Sequence, residues 1–380
     1  MENKISNLAR RIQNHLKSLR IESKEKRELF SADRPVCTEI RRANFDQSLT
    51  DKLIIFLRGT GCSAIDQNGG CTFCGFYTAT NHGIKLNREN FLNQLQYAFE
   101  VHKKEINQFR IISLYNDGSM LSEHEINLDV TLEMIESLSK FENLKLITIE
   151  SKLQDITEEK LLKLKNVTDK KLEISFGFES SDPLIRRLCI NKNFTNDKVV
   201  STIQNLISHD VNPTSLIMLK PPFLTEREAI DDVVKSLLFL EETGVNRIDI
   251  ELPTVEEFTL TQELWEKGFY QPIMLWSAIE ILRQKDSLKL KKQIYISPPN
   301  YTVKALAYSS NCPICDDKIS KLFMEYNKKN DFSVFENLTC ECKLEWEKRF
   351  HLNDIETLPI VDRVEKIMDL LENTSSSNKK

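Results

Sequence analysis

Short β-rich runs alternate with stretches of helical length along most of the chain, and this alternation constrains the fold more than any other feature. Six β-rich runs lie at residues 53–58, 110–115, 146–150, 172–177, 215–220 and 247–252. Helical patterns separate them at residues 90–104, 129–140, 197–209 and 226–242. Such alternation predicts parallel strands joined by right-handed crossovers. We therefore predict an α/β fold, a partial (β/α)6 barrel with residues 293–297 as a further edge strand.

The segments on either side of the predicted barrel, residues 46–300, differ from it. Residues 1–45 read as a basic helical lead-in, in which the first 42 residues carry 11 Lys and Arg against 6 Asp and Glu, or +5. Such a segment suits a phosphate backbone, and equally a solvated helix packed across the barrel. Residues 301–350 form a cysteine-bearing extension. Residues 351–380 are predicted to be a C-terminal helix followed by a disordered tail, TSSSNKK.

The composition is that of an ordinary soluble protein, with 40% hydrophobic residues, 29% charged residues and a formal net charge of -5. Apolar runs such as residues 53–57 and 216–219 are too short to span a bilayer. The N-terminal residues are polar and amphipathic and lack the apolar core of a signal peptide. We therefore expect a cytoplasmic location and no membrane association.

Three of the nine cysteines crowd into a loop directly after the first predicted strand, RGTGCSAIDQNGGCTFCGFY (58–77). Cys62, Cys71 and Cys74 have the spacing C-x8-C-x2-C, and five of the ten glycines share the loop. Glycine permits the positive φ angles and close backbone approach that wrapping a cluster requires. A closed structural zinc site needs four ligands, whereas three thiolates on a cubane leave one iron open. The loop predicts a [4Fe-4S] cluster, with zinc or an electron-transfer cluster as the alternatives.

This loop resembles that of the radical S-adenosylmethionine (SAM) superfamily, whose usual form is C-x3-C-x-aromatic-C. CTFC matches the second half, while the first gap of eight residues departs from it. The resemblance implies that the open iron chelates SAM, which is cleaved reductively to a 5′-deoxyadenosyl radical that takes a hydrogen atom from the substrate. It also implies an external reductant, flavodoxin or ferredoxin. Phe73, immediately before Cys74, suits a role covering the adenine of SAM.

Other predicted strand ends carry polar residues that suit SAM. Asn116-Asp117-Gly118-Ser119 follows the second predicted strand. It lies at the same place in the fold as the small-residue motif by which the superfamily holds the methionine amino group of SAM. The third and fourth strands end in carboxylates, Glu150 and Glu179, which suit the ribose hydroxyls or the amino group of SAM. Because the chemistry of parallel barrels sits at the carboxyl ends of the strands, we expect these groups to converge. The candidates for SAM binding are Phe73, Asn116, Asp117, Gly118, Ser119, Glu150, Ser151 and Glu179.

Longer strings resemble the archaeosine-forming radical SAM enzymes, which act on a modified 7-deazaguanine in tRNA. Besides residues 58–77 they are GFESSDPLIRRLCINKNF (177–194), LKPPFLTEREAIDD (219–232) and GFYQPIMLWSAIEIL (268–282), and the resemblance runs from about residue 10 to 350. In that family the radical cleaves a C–N bond of a lysine adduct on the base, a lyase reaction. A separate enzyme first attaches the lysine. The implied partners are therefore tRNA and a lysine-transferring enzyme.

Four further residues are candidates for contact with the substrate. Lys192 and Lys220 are cations suited to a carboxylate or phosphate, and Trp276 suits stacking on a base or packing in the core. Glu256 follows the sixth strand, where the family usually has amides. An acidic group there changes donor–acceptor preference and repels phosphate. No residue is assigned as a general acid or base, because the six histidines lack motif spacing.

The acidic substitution keeps two other functions open. One is a radical SAM enzyme of the same lineage that acts on a small amino-acid-derived metabolite or a peptide. The other is a non-catalytic metal-binding or RNA-binding module.

A second cysteine group lies in the extension. Cys312 and Cys315 form a C-x2-C pair, and Cys340 and Cys342 form a tighter C-x-C pair. Four thiolates in two pairs predict a tetrahedral structural zinc site, with a second Fe–S cluster as the alternative.

Overall fold

The computed structural model describes residues 1–26, 28–46, 48–298, 304–351 and 353–377. The strands are β1 (Cys37–Phe45), β2 (Ser48–Phe56), β3 (Ile111–Tyr115), β4 (Leu146–Glu150), β5 (Lys171–Gly177), β6 (Val211–Met218), β7 (Arg247–Glu251), β8 (Thr254–Val255), β9 (Gln293–Ile296) and β10 (Ala307–Tyr308). Eight of them form one curled sheet in the order β1-β2-β3-β4-β5-β6-β7-β9. All its neighbours are parallel except β1 and β2. The remaining strands, β8 and β10, pair antiparallel.

The helices that connect and flank the strands are α1 (Glu2–Lys26), α2 (Ser63–Asn68), α3 (Arg88–Val101), α4 (Leu128–Ser139), α5 (Glu158–Asn166), α6 (Pro183–Ile185), α7 (Asn196–Ser208), α8 (Glu226–Glu241), α9 (Leu260–Glu266), α10 (Leu275–Ser287), α11 (Asp316–Lys329), α12 (Cys342–Lys348) and α13 (Ile360–Ser377). Local sequence starts several of them: α3 and α8 begin with reciprocal capping boxes from Asn87 and Thr225. No helix in the described ranges is long and apolar enough to cross a bilayer.

The predicted α/β half-barrel is confirmed. The six predicted strands correspond to β2 to β7, the predicted edge strand is β9, and the four predicted helices differ from α3, α4, α7 and α8 by one to three residues at their ends. The sequence analysis did not foresee β1, which lies inside the predicted helical lead-in. Its residues, CTEIRRANF, include three charged side chains and lack a clean apolar alternation, so that only the pairing with β2 reveals the strand.

The two faces of the curled sheet have opposite character. On β4, Ile147 and Ile149 belong to the main apolar core, whereas Glu150 points into the barrel. On β7, Ile248 and Ile250 are buried in that core. The alternate residues of the strand line the interior of the barrel: Arg247, Asp249 and Glu251. The core therefore lies between the sheet and its helices. The interior of the barrel is left polar and open enough to hold a ligand.

The C-terminal extension closes the open edge of the sheet. Asn327 on α11 accepts a hydrogen bond from the backbone N–H of Ile296 (2.8 Å) and donates to its carbonyl (2.8 Å). Asn330, just after α11, makes the same pair of bonds with Ile294 (2.6 and 3.0 Å). These two amides replace the missing neighbouring strand of β9 and satisfy its backbone.

The first and last helices pack together outside the barrel. Lys4 and Arg11 on α1 form ion pairs with Asp362 and Asp369 on α13 (both 2.7 Å). Helix α13 is described as far as Ser377, within the segment TSSSNKK that was predicted to be a disordered tail, and residues 378–380 lie outside the described ranges.

Candidate active site

The loop with three cysteines occupies the space between β2 and α3 at the carboxyl edge of the sheet. Cys62 directly precedes α2, and the helix ends at Gly69, which has φ of 88°. Gly70 follows with φ of 75°, so two successive left-handed residues turn the chain back toward Cys71. A side chain at Gly69 would also lie 2.6 Å from Leu16 on α1. The rare glycines are therefore needed both for the turn and for close contact with α1.

Residues distant in sequence hold this loop in place. The buried guanidinium of Arg20 on α1 donates to the carbonyls of Gly69 (2.9 Å) and Cys71 (2.8 Å). Asn191, itself at φ of 69°, donates to the carbonyl of Gly70 (2.8 Å). The sequence analysis missed Arg20 and Asn191, because neither belongs to the cysteine motif. The closely spaced glycines were the only signal that the loop needs outside support.

The three thiols lie in a buried environment. Burial, and to a smaller extent the negative charge of Glu125, raises the pKa of Cys62 to about 12. Burial also raises the pKa of Cys71 and Cys74. Each would be a neutral thiol until a metal displaces its proton. Among the described residues, the sulfur atoms of these three cysteines do not all lie within 4.8 Å of one another. They therefore do not fit a single ion, and they fit thiolates bound to separate irons of one cluster.

A cavity of about 660 Å³ lies inside the barrel, beneath the cysteine loop. Its wall includes the inner face of the sheet, α11 and Cys74. Of the candidates for SAM and substrate binding, those that line it are Phe73, Asn116, Asp117, Gly118, Glu150, Glu179 and Glu256.

The motif after β3 presents unsatisfied polar atoms beside this cavity. Asn116 Nδ2 and Asp117 Oδ1 are buried and have no hydrogen-bond partner among the described residues. Burial, followed by Glu125, raises the pKa of Asp117 to about 7. The lack of side chains at Gly59 and Gly118 leaves the space that Asn116 and Glu125 occupy. Buried orphans of this kind fit a polar ligand such as the amino acid part of SAM.

The end of β5 contributes a charged pair. Glu179 has φ of 67°, and its Oε1 lies 2.7 Å from Lys192 Nζ, which also donates to the carbonyl of Gly177 (3.1 Å). A side chain at Gly177 would collide with both charged groups. Lys192 therefore serves to hold the carboxylate of Glu179 at the cavity wall and does not itself line the cavity.

Ser119 and Ser151 lie behind the wall. Their hydroxyls are 3.0 Å apart and both residues are buried. They join the segments that follow β3 and β4 and do not line the cavity in the described part of the chain.

Glu125 is a residue that sequence reasoning missed. Its side chain is fully buried and accepts hydrogen bonds from the backbone of Ser63 (2.9 Å) and of Ser119 (2.5 Å), and it pairs with Lys152. Ser63 follows Cys62 directly. One carboxylate thus fixes the cysteine loop, the motif after β3 and the segment after β4 relative to one another. Its position in the string NDGSMLSEHE gave no signal, because an acidic residue in a loop is usually solvated.

The other candidates lie apart from one another. Glu256 accepts a hydrogen bond from the N–H of Gly75 (2.5 Å), and therefore supports the cysteine loop while facing the cavity. Lys220 is buried away from the cavity, where its ammonium donates to the carbonyl of Gln271 (2.9 Å) and contacts Glu226 (3.4 Å). Trp276 is buried on α10, and neither it nor Lys220 is among the described residues that line the cavity.

The four C-terminal cysteines converge. Cys312 Sγ lies 3.4 Å from Cys315 Sγ and 3.6 Å from Cys340 Sγ, and Cys315 lies 3.5 Å from Cys342. Ligands of one tetrahedral ion with bonds of about 2.3 Å are about 3.8 Å apart, so this spacing suits a single metal ion. The indole N–H of Trp276 donates to Cys342 Sγ (3.2 Å). Trp276 therefore supports the metal-type site and not the cavity.

Comparison with known proteins agrees with this arrangement. A family model described as the radical SAM superfamily matches residues 68–236. The chain is 30% identical over 351 residues to an uncharacterized protein of Methanocaldococcus jannaschii, covering 91% of this chain and 95% of that protein. It belongs to the radical SAM superfamily, which implies a [4Fe-4S] cluster and SAM as cofactors.

A named relative is more specific. The archaeosine synthase subunit beta of Methanosarcina acetivorans is 30% identical over 318 residues, 82% of this chain and 89% of that subunit. Among solved structures, Elp3 of Methanocaldococcus infernus with an N-terminal deletion matches with a TM-score of 0.48 at 15% identity, over 62% of this chain and 58% of that chain.

Proposed function

We propose that this chain is a C–N bond lyase that acts on a lysine-adducted 7-deazaguanine in tRNA, as in archaeosine formation. The observation that carries the proposal is the match to archaeosine synthase subunit beta along 89% of that subunit. A match of that length covers 82% of this chain and is therefore more than an isolated cofactor motif.

The cofactors supply the radical chemistry when bound, through reductive cleavage of SAM to a 5′-deoxyadenosyl radical. Cys62, Cys71 and Cys74 hold the cluster. Asn116 and Asp117 present their unpartnered polar atoms to the methionine part of SAM, with Glu179 at the ribose.

The test is anaerobic reconstitution with iron and sulfide, followed by dithionite, SAM and tRNA that carries the lysine adduct. We expect 5′-deoxyadenosine together with release of the lysine carbon skeleton and a formamidine on the base. Formation of 5′-deoxyadenosine without any change in the tRNA would reject the tRNA substrate and retain the reaction class. A wild-type protein that binds iron but forms no 5′-deoxyadenosine would reject both.

A second candidate is a radical SAM enzyme of the same lineage that acts on a small amino-acid-derived metabolite or a peptide. The carboxylates in the cavity wall favour it, because carboxylates repel phosphate and attract an ammonium group. The lining carboxylates are Asp117, Glu150, Glu179, Asp249, Glu251 and Glu256, and the lining cations are Arg41, Arg42, Lys52, Arg247 and Lys328. Binding to tRNA that weakens steeply with salt would favour the first candidate, since phosphate contacts release counterions.

Three kinds of partner follow from the proposal. A flavodoxin or ferredoxin would deliver the electron, tRNA would carry the substrate, and another enzyme would attach the lysine beforehand. The relative's name, a subunit beta, supports a second polypeptide in the same reaction sequence. We propose that the lysine-transferring enzyme is that polypeptide.

We also propose that the four C-terminal cysteines bind structural zinc. The Cys340→Ala variant should lose zinc and unfold at a lower temperature, while the visible absorption of the Fe–S cluster stays unchanged. Metal analysis with thermal unfolding checks this, and Cys37→Ala is the matched control because Cys37 lies on β1, outside both cysteine groups. Loss of iron from the Cys340 variant, with no zinc in the wild type, would show a second iron site instead.

A further inference from the structure

We propose that the interior of the barrel holds an amino acid zwitterion, with Lys52 binding its α-carboxylate and Glu150 binding its α-ammonium. The inference rests on the proposed function only for the identity of the amino acid, which would be the lysine part of the substrate. The two residues share two properties: both line the cavity, and neither forms an ion pair with another described residue.

Lys52 is the cation of this site. Its ammonium lies 3.2 Å from the hydroxyl of Tyr115, and no carboxylate of the described residues lies within ion-pair distance. Burial, and to a smaller extent the positive charge of Arg247, lowers the pKa of Lys52. A bound carboxylate would stabilise the protonated, positively charged form of the side chain. A neutral phenol alone does not compensate an enclosed ammonium group.

Glu150 is the anion of this site. Its carboxylate has no hydrogen bond or ion pair within the described residues, although it faces the cavity. Burial, followed by repulsion from Glu251, raises its pKa to about 8. A ligand ammonium would neutralise this repulsion. Two carboxylates that face a cavity and repel each other are the usual recognition element for a cation.

Two other cations that line the cavity are already paired. Arg247 binds both oxygens of Asp249 (2.6 and 3.0 Å) and contacts Glu173 (3.2 Å). Arg41 on β1 pairs with Glu39 (2.5 Å). Since these neighbours are paired, Lys52 and Glu150 are left as cavity-lining groups of opposite sign that a ligand can satisfy.

The depth of Glu150 favours substrate over SAM. In the sheet register Leu114 is opposite Ile149, and Glu150 is opposite Ser175. Glu150 is therefore level with Tyr115, whereas Glu179 lies four residues farther toward the cysteine loop. We assign Glu150 to the substrate, in place of the SAM-binding role predicted from sequence. Lys52 is near enough to act on the pKa of Glu150 in the lowering direction, although burial and Glu251 outweigh it, and the two form no ion pair. One ligand with two opposite charges can therefore engage both.

The test uses the reconstituted enzyme with SAM and Nε-acetyl-L-lysine, whose only charges are the α-ammonium and α-carboxylate. Calorimetry should show binding to the wild type, and affinity about tenfold or more lower for Lys52→Gln and for Glu150→Gln, because each loses a charge-assisted hydrogen bond. Arg42→Gln is the matched control. Arg42 also lines the cavity, but its guanidinium pairs with Asp51 (2.7 Å).

Two analogues assign each contact. 6-Acetamidohexanoate lacks the α-ammonium, and N-acetylcadaverine lacks the α-carboxylate. Glu150→Gln should bind the first analogue as well as the wild type does, and Lys52→Gln should do the same with the second. Absence of binding by the wild type, or equal losses for all ligands, would overturn the proposal. Loss of SAM affinity in Glu150→Gln would return this residue to the cofactor site.

This experiment separates two kinds of failure. If the wild type forms no 5′-deoxyadenosine but binds Nε-acetyl-L-lysine in the expected pattern, the proposed reaction fails and the zwitterion site stands. If it forms 5′-deoxyadenosine and ignores every ligand, the reaction class stands and the zwitterion site is rejected.

Discussion

The Cys71→Ala variant will hold no stable [4Fe-4S] cluster after anaerobic reconstitution and will form no 5′-deoxyadenosine from SAM and dithionite. Three thiolates are the protein's entire contribution to the proposed cluster, so the loss of one leaves an iron without its protein ligand. Iron and sulfide analysis, the brown chromophore and chromatography of the nucleoside products measure the loss. We expect a complete loss of product and not a graded one.

Cys37→Ala is the matched control for this variant. Cys37 lies on β1, outside the loop, and its replacement should leave iron content and product formation unchanged. Thermal unfolding of both apoproteins distinguishes a lost ligand from a lost fold. A Cys71→Ala protein that keeps the chromophore, or that still cleaves SAM, would contradict the assignment of the loop as the cluster site.

The Glu125→Ala variant should have the second-largest effect. It removes one member of a buried ion pair and leaves the ammonium of Lys152, the N–H of Ser63 and the N–H of Ser119 without their acceptor. Breaking such a pair from one side costs about 3 kcal/mol of unfolding free energy. We also expect the rate of 5′-deoxyadenosine formation to fall at least tenfold, because the cysteine loop and the motif after β3 lose their common anchor. Urea unfolding and a timed product assay measure the two effects.

A double variant separates positioning from stability. Glu125→Gln combined with Lys152→Met removes both charges, so most of the unfolding free energy should return. The rate should stay low, since the amide cannot accept from both backbone N–H groups as the two carboxylate oxygens do. Glu159→Gln, at an exposed ion pair, is the control and should change neither quantity. Recovery of the full rate with stability would mean that Glu125 acts only on the fold.

The C-terminal extension also forms part of the cavity wall. Phe323 and Met324 on α11 line the same cavity as the strand ends, and α11 follows directly after Cys315. The amides of Asn327 and Asn330 tie this helix to β9. The four cysteines therefore hold a wall of the cavity in place, although none of them lines it in the described part of the chain.

The sequence by itself determined the half-barrel. A buried parallel strand is a short run of apolar residues that are adjacent in the sequence. Because stretches long enough for a helix separate these runs, β2 to β7 could be predicted without knowledge of any contact between distant residues. The sequence also placed Phe73, Asn116, Asp117, Gly118 and Glu179 at one edge. The carboxyl ends of parallel strands lie at the same edge of a barrel. Residues that directly follow successive strands in the sequence are therefore expected to lie near one another in the fold.

Tertiary structure alone decided how these groups are supported and which of them share the cavity. Arg20, Glu125 and Asn191 hold the cysteine loop from segments distant in the chain, and no spacing rule links them to it. Lys220 and Trp276 occupy conspicuous motifs, yet both are directed elsewhere, because the direction of a side chain depends on packing. The pairing of neighbouring charges made Lys52 a candidate and moved Glu150 from the cofactor to the substrate. The sequence pattern predicts where strands and helices lie along the chain. Whether a charged side chain has a partner depends on contacts between these elements, which the pattern does not contain.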